Sequence, residues 1–367
     1  MNQTLIVIPT YNEKDNILRL ISAIEQKKIA ADVLVVDDNS PDGTGKLVDE
    51  LSKKRSWVYI LHRKEKAGLG KAYIAGFKWG LEKKYKKLIS MDADFSHPVD
   101  VLPALIDLCN TKTVAIGSRY VKGGKIVGWQ LNRYFNSWGA NFVTRTLLMI
   151  KAKDATAGFK CYPAEFLKVI NLDNIQSSGY AFQPEMLLLA QNNGFKLRET
   201  PITFVDRQVG SSKIQGELVK SARIVFGLAL RQKTLRQFVK FGIVGAINSL
   251  VDWGIFYLLK IVLPGVFTSL NLQTIKQIAK AISFTVSAIS SYIMNRKWTF
   301  RSTRSGVGRE AVKFLVVATG GFLINNVTFY LVTARAGWRD IFGLIIATAA
   351  ATFWNFILNK KWTFKGL

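Results

Sequence analysis

Lys87-Leu88-Ile89-Ser90-Met91-Asp92-Ala93-Asp94-Phe95-Ser96-His97-Pro98 decides how the first half of this chain folds. An apolar run from Lys87 to Met91 ends in two carboxylates one residue apart. The run predicts a buried strand, and the carboxylates fall where that strand leaves its sheet. Two carboxylates so placed can face one hard cation and the phosphates on it. Asp pairs are also common in turns, so a lone D-x-D says little and its surroundings must carry the reading.

The same punctuation occurs twice upstream. Thr4 to Pro9 is a short apolar run followed by Thr10-Tyr11-Asn12-Glu13. Val33 to Val36 ends in Asp37-Asp38, with turn residues from Asn39 to Gly43. Helical spacing lies between and beyond, through Ile17, Leu20, Ile21 and Ile24, and through Leu47 and Leu51. A strand at Trp57 to Leu61 precedes Gly68-Leu69-Gly70, which opens a helix over Lys71 to Glu82. That glycine pair lacks both the dinucleotide fingerprint and the Lys-Ser/Thr of a phosphate loop, so it reads as a tight turn. The alternation predicts an α/β domain with a mostly parallel sheet, whose ligands bind at the carboxyl ends of the strands. The three polar clusters should converge on one crevice.

The chain has 367 residues, 51 Lys+Arg against 25 Asp+Glu, and a net charge of +26. Such an excess implies anionic partners. The basic residues flank apolar spans, which favours an anionic membrane surface and argues against nucleic acid. Cys109 and Cys161 have no metal-type spacing and read as two unpaired thiols of a reducing compartment. The first ten residues read as a strand, not a signal segment, which places the N-terminal domain in the cytoplasm.

From Glu217 the texture changes. Leu218, Ala222, Val225, Phe226 and Ala229 recur at helical spacing among basic residues, which reads over 214–237 either as an amphipathic interface segment on an anionic membrane or as a surface helix packed on its own domain. Four apolar stretches follow at 238–262, 278–294, 312–334 and 341–358, each near the ~20 residues needed to cross a bilayer. Lys and Arg concentrate before the first, between the second and third, and after the last. The positive-inside rule then sets both termini in the cytoplasm of a multi-pass cell-membrane protein. Asn295-Arg296-Lys297-Trp298-Thr299-Phe300 recurs as Asn359-Lys360-Lys361-Trp362-Thr363-Phe364, and Phe238 with Gly245 recurs as Phe314 with Gly321. The region 238–367 therefore reads as two copies of a helical hairpin. Asp252, inside the first stretch, has Thr328 as its repeat partner. It reads as a functional residue or as a group near the outer interface.

In this order the motifs resemble the inverting family-2 glycosyltransferases. Gly117-Ser118-Arg119-Tyr120, Gly128-Trp129 with Arg133, Ser137 to Asn141, Gly179 to Gln183, Phe204 to Arg207 and Gly210 to Lys213 sharpen the match. Over roughly the first 215 residues the chain is similar to the dolichol-phosphate mannose synthases. Its repeated hairpins resemble the GtrA-like membrane domain. The resemblance implies a cytoplasmic GT-A domain (Rossmann-like, 1–213) followed by an all-α domain of four transmembrane helices. Pro9, Tyr11, Glu13, Val36 and Asp38 would line the nucleoside pocket. Asp92, Ala93, Asp94 and Ser96 would surround the diphosphate, with Asp92, Asp94 and Ser96 on a Mg²⁺ or Mn²⁺. Arg119, Arg133, Arg207 and Lys213 would grip donor and acceptor phosphates and, with Asp94, form the catalytic set.

The implied reaction passes mannose from GDP-mannose to a polyprenyl or dolichyl phosphate, with inversion, giving polyprenyl-phosphate-mannose and GDP. A lipid phosphate is already ionised near neutral pH, so no general base is required. His97 then reads as structural. Two alternatives stand beside this: a polyprenol-phosphate glucosyltransferase using UDP-glucose, and a lipid-linked-sugar flippase with an attached transferase. The oligomeric state, a homo-oligomer included, is left open.

Overall fold

The computed structural model describes residues 2–175, 177, 179–206, 217–303 and 305–364. It divides into two compact units, Met1–Leu230 and Arg231–Leu367. In the first, strands and helices alternate as β1 (Thr4–Thr10), α1 (Lys14–Gln26), β2 (Ala31–Asp37), α2 (Thr44–Lys54), β3 (Val58–His62), α3 (Leu69–Glu82) and β4 (Lys87–Ser90). Then come α4 (Leu102–Leu108), β5 (Thr113–Ser118), β6 (Lys125–Val127), α5 (Leu131–Leu148), β7 (Lys160–Pro163), α6 (Ala164–Val169), α7 (Phe182–Asn192), β8 (Lys196–Pro201), β9 (Thr203–Val205) and α8 (Glu217–Arg231).

Seven strands form one sheet in the order β3-β2-β1-β4-β7-β5-β8, while β6 and β9 pair separately. The first four strands are parallel, and β7 runs antiparallel to both its neighbours. The parallel strands are buried on both faces, as helices covering both sides require. Ile6, Ile8, Val33, Val35 and Ile89 lie in the core with Ile17, Leu20, Ile21 and Ile24, the apolar stripe of α1. Helix α3 lies close on the sheet: a Cβ on Gly76 would sit 2.3 Å from Val7 Cγ1. The tight-turn reading of Gly68-Leu69-Gly70 agrees with α3 starting at Leu69. Cys109 and Cys161 are free and buried.

The second unit holds α9 (Lys233–Val266), α10 (Leu272–Met294), α11 (Val307–Tyr330) and α12 (Asp340–Leu358), with α9 packed on α10 and α11 on α12. Both Asn-x-x-Trp-Thr repeats form π-helical turns, at Asn295–Thr299 and Asn359–Thr363. The phenylalanines that follow them, Phe300 and Phe364, stack with centroids 4.8 Å apart, so the two hairpins meet at equivalent residues.

Three helices among the described residues are long and apolar enough to cross a membrane: Lys233–Val266, Val307–Arg335 and Asp340–Thr363. The expected second span is the exception. Helix α10 has 23 residues, about 34 Å at 1.5 Å per residue, so its length suffices. Its composition falls short, because Gln273, Lys276, Gln277 and Lys280 interrupt it.

The structure also explains Asp252. Lys280 Nζ donates to Asp252 Oδ2 at 2.6 Å, and Ser283 Oγ donates to Asp252 Oδ1 at 2.7 Å. These two opposite charges meet across α9 and α10. By the repeat offset from Asn295 to Asn359, Leu344 and Ala347 stand where Lys280 and Ser283 do. The second hairpin thus lacks the acid and its partners together.

Candidate active site

Three loops leave the carboxyl ends of the adjacent strands β1, β2 and β4, and each turns through a left-handed residue: Asn12 (φ 59°), Asn39 (φ 55°) and Phe95 (φ 60°). Asn tolerates that conformation; a bulky aromatic there is strained, by about 1–2 kcal/mol. The turn at Phe95 lets the backbone N–H of Ser96 reach Asp94 Oδ1 at 3.1 Å. Ser96 itself is 4 % exposed.

The first two loops are tied to each other by backbone donors. Asn12 N–H donates to Ser40 Oγ, Glu13 N–H to Thr44 Oγ1 and Lys14 N–H to Asp42 Oδ2, all at 3.0–3.1 Å. Asp37 accepts from Thr10 Oγ1 and from the N–H and hydroxyl of Ser40. It holds the turn that follows β2. Asp38 is buried and receives Arg63 Nη1 at 2.6 Å. Burial pushes its carboxyl above the ordinary value, although Arg63 pulls the other way. Val36 is buried within β2, and Lys66 lies over the Tyr11 ring at 4.1 Å.

Asp92 is held from below. Tyr73, fully buried on α3, donates its hydroxyl to Asp92 Oδ1 at 2.7 Å. The backbone N–H of Asp92 donates to His97 Nδ1 at 2.9 Å, which leaves the ring proton on Nε2, 3.9 Å from Asp92 Oδ2. His97 is buried, stacks on Phe159, and is pushed toward its neutral form by burial. Its structural reading therefore agrees with what it touches. Gly158 makes room, since a Cβ there would lie 3.1 Å from His97 Cε1 and 3.4 Å from Asp92 Oδ2.

The cations are less uniform than the sequence implied. Arg119, at the end of β5, gives Nε and Nη2 to the two oxygens of Asp154 at 2.8 Å each, and Nη2 also donates to Thr156. Asp154 is fully buried. Burial alone would raise its carboxyl, but the Arg119 guanidinium outweighs this and holds it below the ordinary value. Arg119 therefore braces the loop before β7, boxed by Tyr120, Trp129 and Phe204. Arg133, on α5, is half-buried, lies over Trp129 at 4.7 Å and donates to Asp206 Oδ2 at 2.5 Å. Arg207 and Lys213 lie outside the described residues.

Sequence reading missed Tyr73, Asp154 and Lys160. Lys160 is fully buried on β7, donates to Ala157 O and to Gln183 Oε1, and burial pushes its amine down to about 7. A lysine between Phe159 and Cys161 was a visible signal of a buried charge. Nothing in the sequence marked Tyr73 off from its apolar helix face. The Asp92–Tyr73 bond gives a first prediction. Tyr73→Phe should leave the fold intact and lower turnover ~10-fold or more, the weight of one hydrogen bond to a charged group. Turnover of the purified full chain, measured beside an unchanged thermal transition, checks it.

A sheet of this topology, with carboxylates at the end of β4 and a helical unit carrying candidate spans, defines a membrane-attached sugar transferase of GT-A type. Residues 5–170 match the model of glycosyl transferase family 2, and residues 240–364 match that of the GtrA/DPMS transmembrane domain. The chain belongs to the polyprenol- and dolichol-phosphate mannosyltransferases of that family. It is 44 % identical over 237 residues to the undecaprenyl-phosphate mannosyltransferase of Micrococcus luteus, spanning 64 % of this chain and 98 % of that one. It is 44 % identical over 222 residues to the polyprenol monophosphomannose synthase of Mycolicibacterium smegmatis, covering 60 % and 84 %. With the dolichol-phosphate mannosyltransferase of Pyrococcus furiosus it shares 33 % identity over 333 residues, 89 % of each chain. That last match runs through both units.

Proposed function

We propose that this chain transfers mannose from GDP-mannose to the phosphate of a polyprenyl lipid, with inversion at the anomeric carbon. The observation that carries this reading is the D-x-D turn at the end of β4, beside the loops of β1 and β2 and braced by Tyr73, His97 and the Ser96 N–H. Pro9, Tyr11, Glu13, Val36 and Asp38 line the nucleoside side of the crevice in this reading. Ala93, 4 % exposed, lets the backbone between the two carboxylates lie against the core.

The donor set fits a divalent cation. Asp92 and Asp94 offer hard carboxylate oxygens and are half-buried. Among the described residues no cluster of three or more His, Cys, Asp or Glu side chains suited to a metal occurs. Two carboxylates suit Mg²⁺ or Mn²⁺, which take substrate phosphates and waters as their other ligands. Asp92 and Asp94 would hold the ion, with Ser96 fixing Asp94 and adding its hydroxyl; bound there, it neutralises charge on the leaving diphosphate.

The protein's own residues do the rest. The lipid phosphate is largely ionised at pH 7, since a phosphomonoester's second pKa is about 6. Its oxygen attacks the anomeric carbon without a general base, the bond to GDP breaks, and one displacement inverts the centre. Arg133, Arg207 and Lys213 are assigned to phosphates of donor and acceptor, because guanidinium forks and ammonium groups both suit phosphate oxygens. Arg119 acts through Asp154 as a positioning residue. The Lys/Arg distribution supports a topology with the transferase unit and both termini on the cytoplasmic side.

The test is transfer by the purified full chain in detergent, with GDP-mannose and UDP-glucose offered in turn to a short polyprenyl phosphate. A lipid-soluble product from GDP-mannose alone, lost with EDTA and restored by Mn²⁺ or Mg²⁺, is the expected result. Product from UDP-glucose instead would replace the sugar; EDTA-resistant transfer would remove the metal.

A further inference from the structure

The second unit contains a basic pocket of about 280 Å³ that the transferase chemistry does not use. Lys233, Arg236, Gln237 and Lys240 of α9 line it, facing Thr299, Phe300 and Arg301 at the end of the first π-turn. Four of these seven residues are cations, and none of the four forms an ion pair among the described residues. Four like charges converging on one cavity repel one another unless an anion joins them.

Two further observations point to a ligand. Gln237 Oε1 and Thr299 Oγ1 are buried without any hydrogen-bond partner, and both residues line the pocket. Gln237 is 7 % and Thr299 3 % exposed. A buried polar atom left unbonded costs about 1–3 kcal/mol, so such atoms normally have a partner. The threonine hydroxyl can donate, and a half-turn of the glutamine amide presents its NH₂. Arg301, next to Thr299 and Phe300, is held at φ 51°, a left-handed strain a non-glycine residue tolerates when the surroundings enforce it. The pocket also sits on the first two turns of α9, the positive end of a 34-residue helix.

Positive-inside topology accounts for cations at the rim of both hairpins, since Lys233 corresponds to Arg309 and Gln237 to Lys313 at the repeat offset. The further pair, Arg236 and Lys240, has no counterpart. By the repeat offset from Phe238 to Phe314, Arg236 and Lys240 correspond to Val312 and Val316. The duplicated framework has placed these two cations on one hairpin only.

We propose that this pocket binds a phosphate group, as a phosphate-bearing lipid headgroup at the rim of the membrane unit or as a free phosphate. The chemistry is cationic donors from Lys233, Arg236 and Arg301 around one tetrahedral anion, with Lys240, which also donates to Trp298 O at 3.4 Å, beside them, and the buried Gln237 and Thr299 behind. The volume lies below the 300–1,000 Å³ of pockets that enclose drug-sized ligands, which suits a headgroup with its chain outside. The proposal stands apart from the transferase reading, because no transfer is measured in its test.

The experiment uses the full chain in phosphatidylcholine nanodiscs with a short polyprenyl phosphate carrying a photoreactive group beside the phosphate. Cross-linked peptides are mapped by mass spectrometry. Cross-links to residues 233–240 and 299–301 are expected. They should fall roughly tenfold or more in the double variant Arg236→Gln/Lys240→Gln. They should persist in Lys297→Gln/Arg309→Gln, which removes two exposed charges from the same region outside the pocket. Competition by inorganic phosphate would support binding of the group from either source; resistance to it would support delivery by lipid. Absence of cross-links from those peptides would overturn the proposal, as would equal loss in both double variants, which would mean diffuse surface charge alone.

Discussion

Asp94→Asn is expected to lower mannosyl transfer by about three orders of magnitude or more, and Asp92→Asn to do the same. Both substitutions keep the side-chain shape, and each removes one negative charge from the end of β4. In Asp92→Asn the amide oxygen would still accept from the Tyr73 hydroxyl, so the loop should hold its form. The loss then falls on the leaving diphosphate and not on folding. Single-turnover assays with saturating GDP-mannose, beside an unchanged thermal transition, would check it. Turnover in both variants within a few-fold of the parent would remove these carboxylates from the site.

The second large effect concerns stability. Arg119→Met should destabilise the N-terminal unit by about 3–5 kcal/mol, because it leaves the Asp154 carboxylate buried and uncompensated. Denaturant unfolding of the full chain, followed in the N-terminal unit, would measure it. The pH dependence has a definite sign. Asp154 is held below its unfolded pKa, so the pair's stabilisation is present above the unfolded carboxylate range and is lost as pH falls through the lower folded value. The parent should therefore lose this contribution only in acid, while Arg119→Met lacks it at neutral pH. A variant that folds normally but has a raised KM for donor would restore Arg119 to a phosphate-binding role.

Arg119 shows where reading by motif reached its limit. The motif Gly117-Ser118-Arg119-Tyr120 implied by resemblance a phosphate-gripping arginine, whereas in the structure Arg119 follows β5 and is paired with Asp154. Its partner Asp154 lies 35 residues away, and local pattern says nothing about which charge a folded chain will set beside another. Tyr73 is similar. It occupies one more apolar position on the buried face of α3, and only the packing of α3 under β4 brings its hydroxyl to Asp92. Asp252 was visible as an anomaly in an apolar stretch, but its partner Lys280 was not singled out. Their mutual neutralisation required the antiparallel packing of α9 on α10.

The parallel α/β arrangement of β1 to β4, the carboxylates at their ends and the duplicated hairpin were all legible along the chain. Each is written in local hydrophobic period or in short repeated strings. Which charges are free to meet a substrate, and which are already paired, emerged only when the elements packed. Packing seated the antiparallel β7 with its buried Lys160 between β4 and β5, turned Arg119 onto Asp154, and gathered four cations around one cavity in the membrane unit. Long-range pairing of charge depends on how elements pack, and packing is set by side chains far apart in the chain.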